Sequence, residues 1–300
     1  MNDKFSVVTI VKNRFHELSN LISSLETSSV RPQELVIVWM TAPTDHSLIK
    51  SEHFEIVHRF ETSSDLPLPQ ARNKAFVTCR NDKIFHLDVD CVCSPEFFEL
   101  AMDSWQDDRV LTTAVTRVET LPEHATFENI QRRIKFQKRD NSVRSSILEM
   151  QDFQSAVFAI SKKAFSTVGG FDESYRGFGI GDIDFATRCE SAGFHLYQLP
   201  IRTFAQYRPG RACPVNHVLD IVNNVATFKR KWGFYPAVNW LNEFASKGII
   251  FADFEEHGVR IRRLPTQQEL SQAITVAHSS PSDNSTTSAP DSTGPTRFAM

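Results

Sequence analysis

The chain has 300 residues, 41% of them apolar, and a formal net charge of -3. It can bury a sizeable core in one large domain or two modest ones, and it lacks the positive field that would make nucleic acid its partner. No apolar run approaches bilayer length, the start carries no signal-peptide pattern, and the five cysteines form no regular framework, so a cytoplasmic protein with free thiols and no transmembrane segment is expected.

Phe5 to Val11 is β-branched and reads as a buried first strand that ends in Lys12-Asn13-Arg14. Leu18, Leu21, Ile22 and Leu25 recur at helical spacing, Leu35 to Trp39 forms a second strand, and Phe54 to Phe60 a third. The stiff Leu66-Pro67-Leu68-Pro69 loop delivers Gln70 to Phe76 as the first turns of a helix. Ile84 to Leu87 is another buried strand. After it, Ser94 and Pro95 suit a cap and first position for a helix from Phe97 to Trp105. Val110 to Val115 is a strand, and the segment holding Arg132, Arg133, Lys135, Lys138, Arg139 and Arg144 reads as a solvated basic helix or loop. Ser155 to Ile160 returns to strand character, Lys162 to Val168 to helix, and Gly169-Gly170-Phe171-Asp172 to a turn. Gly177-Phe178-Gly179-Ile180-Gly181 is a loop where backbone can approach a ligand, leading into a helix from Asp182 that stops at Gly193. Further helices are predicted over Val215 to Trp232 and Ala237 to Lys247, and residues from His278 onward are too polar to fold. Strand-helix-strand alternation of this kind predicts an α/β protein with a mostly parallel sheet flanked by helices and ligands at the strands' carboxyl ends.

The acidic pair Asp88-Val89-Asp90 ends the Ile84–Leu87 strand, and in extended chain its spacing puts both carboxylates on one face. Two carboxylates at a strand's carboxyl end suit Mn2+ or Mg2+, which complete their shells with water and a substrate diphosphate. Cys91 and Cys93 lie beside them without a second Cys or His pair at zinc spacing, and are read as structural thiols. In a parallel sheet Lys12 and Arg14, the Arg72 helix and the acidic strand share one edge, where the cations can hold a nucleotide's phosphates.

The order of these features resembles the A-type fold of family 2 glycosyltransferases. The resemblance is carried by Val11-Lys12-Asn13-Arg14, then Ala71-Arg72-Asn73, then the D-x-D strand. The run from Gly169-Gly170-Phe171-Asp172 through Gly177-Phe178-Gly179 to Asp182-Ile183-Asp184 resembles the acceptor segment of galactosyl- and N-acetylgalactosaminyltransferases. It implies a metal-dependent inverting transfer from a nucleotide-sugar donor, of UDP-Gal or UDP-GalNAc type, to a saccharide or glycolipid-linked acceptor, in polysaccharide assembly. It further implies Asp182 as the catalytic base, Asp88 and Asp90 at the metal, and Arg14, Arg72 and Asp88 at the nucleotide. Asp184 is read as a structural hydrogen-bonding residue and Asp172 as a turn former.

Some positions depart from the family pattern. Val38-Trp39-Met40-Thr41 stands where acids usually read the base, with Trp39 read as core, and Gly181 stands where a glutamate usually precedes the catalytic aspartate. Ala205-Gln206-Tyr207-Arg208-Pro209 replaces a histidine-bearing run, so Arg208 is expected to stabilise the diphosphate, with His217 as an alternative metal ligand. The expected layout is a catalytic α/β domain over 1–212 with its acceptor segment at 153–212, a helical extension over 213–277 and a disordered tail over 278–300. Peripheral contact with a membrane or an assembly complex is compatible with this layout. The alternative function is a non-catalytic nucleotide-sugar or glycan-binding protein on the same fold. A nucleotidyltransferase is disfavoured because Thr9-Ile10-Val11-Lys12-Asn13 lacks a glycine-rich phosphate loop.

Overall fold

A computed structural model of the chain describes residues 4–64, 66–118, 126–135, 143–206 and 213–275. Strand β1 (Phe5–Val11) is buried along its whole length. Successive side chains of a strand point to opposite faces, so Val7 and Val11 join one apolar cluster while Val8 and Ile10 join another on the far side of the sheet. Helix α1 (Phe15–Glu26) packs Leu18, Leu21, Ile22 and Leu25 on the first of these faces. Then follow β2 (Glu34–Trp39), β3 (Glu55–Phe60), helix α2 (Leu68–Thr78) and β4 (Lys83–Leu87). Helix α2 places Ala71, Ala75 and Phe76 on the second face. Strands β3-β2-β1-β4 lie side by side and parallel, with Val7 opposite Leu35 on one side and Phe85 on the other.

Beyond β4 come β5 (Cys91–Val92), α3 (Phe97–Asp103), β6 (Arg109–Arg117), α4 (Phe127–Lys135), β7 (Ser146–Leu148), β8 (Val157–Ser161), α5 (Lys162–Thr167), α6 (Gly181–Ser191) and β9 (His195–Ala205). Strand β8 runs antiparallel to β4, from Lys83 opposite Ser161 to Leu87 opposite Val157, so this half of the nine-stranded sheet is mixed. Three local expectations change. Ser94 does not cap α3: its hydroxyl is buried without a hydrogen bond, and the helix begins at Phe97 after a turn in which the Phe97 N–H donates to the Ser94 carbonyl at 3.1 Å. The strand predicted from Ser155 begins at Val157 and leaves Ser155 in the preceding turn. Strand β9, which no sequence pattern announced, pairs in parallel with β6 through a register shift opposite Thr112–Ala114. Pro200 sits in that irregular stretch, the kind of place a sheet tolerates a residue with no N–H.

Helices α7 (Val218–Trp232), α8 (Trp240–Ser246), α9 (Phe254–His257) and α10 (Gln267–Thr275) complete the described chain. Ile221, Val225, Phe228 and Phe244 form one apolar cluster with Tyr175 and Ile180 of the loop before α6. Helices α7 and α8 therefore share a core with the loop before α6. The glycine-rich loop is pressed against the protein's own helices: Gly177 has φ +60°, and a Cβ there would lie 2.2 Å from Asp220 Oδ2. The buried Asn224 side chain clasps the same loop, accepting from the Arg176 N–H at 3.0 Å and donating to the Arg176 and Gly179 carbonyls at 2.7 and 3.0 Å. The predicted tail lies outside the described residues.

Candidate active site

Strand β4 stops at Leu87, and Asp88 to Asp90 form a turn closed by the Cys91 N–H donating to the Asp88 carbonyl at 2.9 Å. The acidic pair is thus bent, where extended chain was expected. Both aspartates are buried. Asp90 Oδ2 lies 3.8 Å from Arg14 Nη1, whose other neighbour is Glu17 at 3.5 Å. Arg14 reaches it from a loop in which Asn13 takes a left-handed φ of 55°, a conformation asparagine tolerates better than most residues. On the far side of the turn the Gln206 N–H donates to the Asp90 carbonyl at 2.7 Å, and its side chain bonds Asn20 and the Glu17 carbonyl at 2.8 and 3.2 Å. Gln206 therefore ties β9 to α1 behind the acidic turn.

The Ala71-Arg72-Asn73 and Gly-Gly-Phe-Asp motifs, distant in sequence, interlock. Asn73 accepts from the Phe171 N–H and donates to the Phe171 carbonyl, both at 2.8 Å, and a Cβ on Gly170 would meet its Oδ1 at 2.7 Å. Arg72 lies with its guanidinium carbon 4.9 Å from the centre of the Phe171 ring. Its Nη1 donates to Asp182 Oδ1 at 2.7 Å and its Nη2 to Ser155 Oγ at 2.8 Å, while Ser155 Oγ donates to Asp182 Oδ2 at 2.6 Å. Asp182 is the second residue of α6, where the helix's free N–H groups favour a negative charge. The residue before this helix, Ile180, takes φ +71°. A β-branched residue there is strained, and such strain persists where surrounding packing fixes it, here by the cluster holding Ile180.

The acidic turn and the Asp182 triangle meet at the turn before β8. The Asp88 N–H donates to the Ala156 carbonyl at 2.8 Å, one residue from Ser155. Beneath them His86 is fully buried and stacked on Phe158 at 5.1 Å. Burial pushes its imidazole down to about 4 and the charge of Arg72 acts in the same direction, against the opposing pull of Asp88 and Asp182. His86 is held neutral, an uncharged floor to the site.

Asp184, two residues after Asp182, has the structural role read from the sequence. Its side chain is 0% exposed against 42% for Asp182. It accepts from Tyr175 at 3.1 Å, Trp232 at 2.9 Å and Arg188 at 2.8 Å, and pairs with Lys231 at 2.8 Å. His217, the alternative metal ligand, is turned toward the glycine loop, stacked on Phe178 at 4.6 Å with Nδ1 3.7 Å from Asp220. Among the described residues no three His, Cys, Asp or Glu side chains gather into a group that could hold a metal, so Asp88, Asp90 and His217 do not form a closed cage. Arg208 lies outside the described residues. Trp39 is core, donating its indole N–H to His58 Nδ1 at 3.1 Å. Cys91 and Cys93 are buried thiols outside any disulfide, with burial pushing Cys93 up to about 12.

Ser155, Gln206 and Asn224 carry the site's geometry without belonging to any motif that announced it. Only Gln206 had a signal, as part of the run at 205–209.

A family profile described as Glycosyltransferase like family 2 matches residues 32–208, more than half of the chain. No curated protein sequence matches it. Among solved structures, GalNAc-T7 with UDP, GalNAc and Mn2+ aligns with a TM-score of 0.61 at 15% identity, over 85% of this chain and 53% of that one. S. aureus TarS 1–349 aligns with a TM-score of 0.54 at 14% identity, over 91% of this chain and 78% of that one, and its complex with UDP with 0.53. This chain spans about half the length of the GalNAc-T7 structure. At these identities the likeness is one of fold. Among the described residues no helix is long and apolar enough to cross a membrane.

Proposed function

The chain belongs to the Glycosyltransferase like family 2, and from that premise we propose that it transfers a sugar from a UDP-linked donor, of galactose or N-acetylgalactosamine type, to a hydroxyl of a saccharide or glycolipid-linked acceptor with inversion. The observation that carries this reading is the junction, in the turn before β8, of two unlike acidic sites, the buried Asp88–Asp90 turn and the half-exposed Asp182 held by Arg72 and Ser155.

In the proposed reaction Asp182 takes the proton of the acceptor hydroxyl as that oxygen bonds to the anomeric carbon. The bond from that carbon to the diphosphate oxygen breaks, and UDP leaves with the electron pair. Asp182 is suited to this because each of its oxygens spends one lone pair on a fixed donor and keeps another for the incoming proton. The carboxylate is thus oriented before substrate arrives, which removes part of the entropic cost of the step. Arg14 supplies positive charge at the acidic turn, and Arg208 is assigned to the diphosphate. Arg72 directs its hydrogen bonds to the base and contributes to the donor side through its charge.

The acidic turn fits a divalent cation in donor chemistry: two buried carboxylates offer oxygen atoms to Mn2+ or Mg2+ but no closed shell, which suits an ion that keeps water and phosphate ligands. Asp88 and Asp90 would hold it, and when bound it neutralises charge on the departing diphosphate. The solved neighbours with UDP and Mn2+ support the choice of nucleotide and metal.

The test is release of UDP from UDP-galactose and UDP-N-acetylgalactosamine with Mn2+, first with water and then with oligosaccharide acceptors. Turnover with inverted anomeric configuration is expected. Nucleotide binding without turnover of any donor would favour the non-catalytic reading.

A further inference from the structure

We infer that Ser155 is a positioning residue that fixes the Asp182 carboxylate and ties it to the acidic turn. This rests on the reading of Asp182 as the base. Ser155 is 5% exposed and lies in the turn before β8. Its hydroxyl has one proton to give. Arginine can only donate, so the 2.8 Å contact with Arg72 Nη2 uses the hydroxyl as acceptor, and its proton is left for Asp182 Oδ2 at 2.6 Å. Arg72 Nη1 meanwhile holds the other carboxylate oxygen at 2.7 Å. With both oxygens and both guanidinium ends engaged, rotation of Asp182 about its side-chain bonds costs at least one charge-assisted hydrogen bond.

The next residue adds the second half of the device. The Ala156 carbonyl accepts the Asp88 N–H at 2.8 Å, so backbone leading into the acidic turn and the hydroxyl that aims the base are separated by one peptide unit. A displacement of either acidic site is passed to the other through Ser155-Ala156. An alanine at 155 keeps the Ala156 link and the Arg72–Asp182 ion pair, and removes the hydrogen bond to the second carboxylate oxygen together with the acceptor of Arg72 Nη2.

The test is a double-mutant cycle on the full chain. Ser155→Ala, Ser155→Thr, Asp182→Asn and the Ser155→Ala, Asp182→Asn double variant are compared with the parent in UDP release from UDP-N-acetylgalactosamine, UDP affinity with Mn2+, and urea denaturation. Ser155→Ala is expected to lower kcat by about 10–100-fold, the worth of a hydrogen bond to a charged group, with KM and UDP affinity within about twofold. Ser155→Thr, which retains the hydroxyl, is expected to recover more than half of the lost rate. The double variant should be no slower than Asp182→Asn, and its shift in denaturation midpoint should be smaller than the sum of the single shifts. Parent-like kcat in Ser155→Ala, equal losses of rate and UDP affinity, no recovery with threonine, or additive effects in the cycle would each overturn the inference while leaving an inactive Asp182→Asn to support the base. Full activity of Asp182→Asn, or no turnover by the parent, removes the base reading and the inference with it.

Discussion

The chain contains the same spacing twice, Asp88-Val89-Asp90 and Asp182-Ile183-Asp184, and folds it in opposite ways. The first pair sits in a tight turn at the end of β4, both members buried beside cationic or neutral groups at the sheet edge. The second opens α6, and the helix splits it: Asp182 stays 42% exposed and faces Arg72 and Ser155, while Asp184 is 0% exposed and serves as an anchor for Tyr175, Arg188, Lys231 and Trp232. Two residues along a helix turn a side chain to a different face. Identical spacing therefore assigns no role until the backbone carrying it is known.

Exchanging the roles of the second pair gives the largest effects. Asp182→Asn should reduce UDP release from the donor by about 10^2–10^4-fold, with UDP affinity within about twofold in calorimetry. Asp184→Ala should act on stability: it removes the carboxylate partner of Arg188 and the acceptor of Tyr175 and Trp232, while Lys231 keeps Asp172, and breaking a buried ion pair from one side costs about 3–5 kcal/mol, read as a large fall in the urea midpoint. Parent-like stability in Asp184→Ala would mean that the anchor is dispensable. On the first pair, Asp90→Ala should weaken Mn2+-dependent UDP binding by about 10–100-fold with little change in the urea midpoint. Gly177→Ala sharpens the contrast from the loop side. It combines φ +60° with a clash against Asp220, and such a position costs about 1–3 kcal/mol when filled by a side chain.

The smallest effect concerns acid. Burial raises the Asp172 carboxyl, but hydrogen bonds from Lys231 and Ser174 outweigh it and bring it down to about 2, from an ordinary 3.8. A carboxyl depressed by folding contributes stability above its unfolded value, and that contribution is lost as pH falls from near 4 toward 2. Asp172→Asn should flatten this part of the stability profile by about 1 kcal/mol, allowing for partial solvent screening. An unchanged acid limb would show that the pair with Lys231 contributes nothing.

The parallel half of the sheet was legible because its strands are short apolar runs, buried on both faces in β1 and β2 and only partly buried in β3: Phe5–Val11 was predicted to the residue, and β2 and β3 within one residue at each end. Strand β9 was not, because its burial follows no clean alternation and Pro200 interrupts the run. In the site, Asp88 and Asp90 were legible from their spacing at a strand's end, and Asp182 and the segment containing Gly170 and Phe171 through a family resemblance. What those residues touch was less legible. The glycine loop read as a ligand cradle proves to be seated on Asp220 and Asn224, contacts made across some forty residues of sequence. Ser155 carries no motif, and its contacts with Arg72 and Asp182 exist only because α2, the turn before β8 and α6 converge.

The division of labour between the two acidic pairs is tested most directly by titrating UDP, with and without Mn2+, into the parent, Asp90→Ala and Asp182→Asn proteins in a calorimeter. The account predicts that Mn2+ strengthens binding in the parent, that Asp90→Ala loses this gain, and that Asp182→Asn keeps it. Equal loss in both variants, or no UDP binding by the parent under either condition, would contradict it.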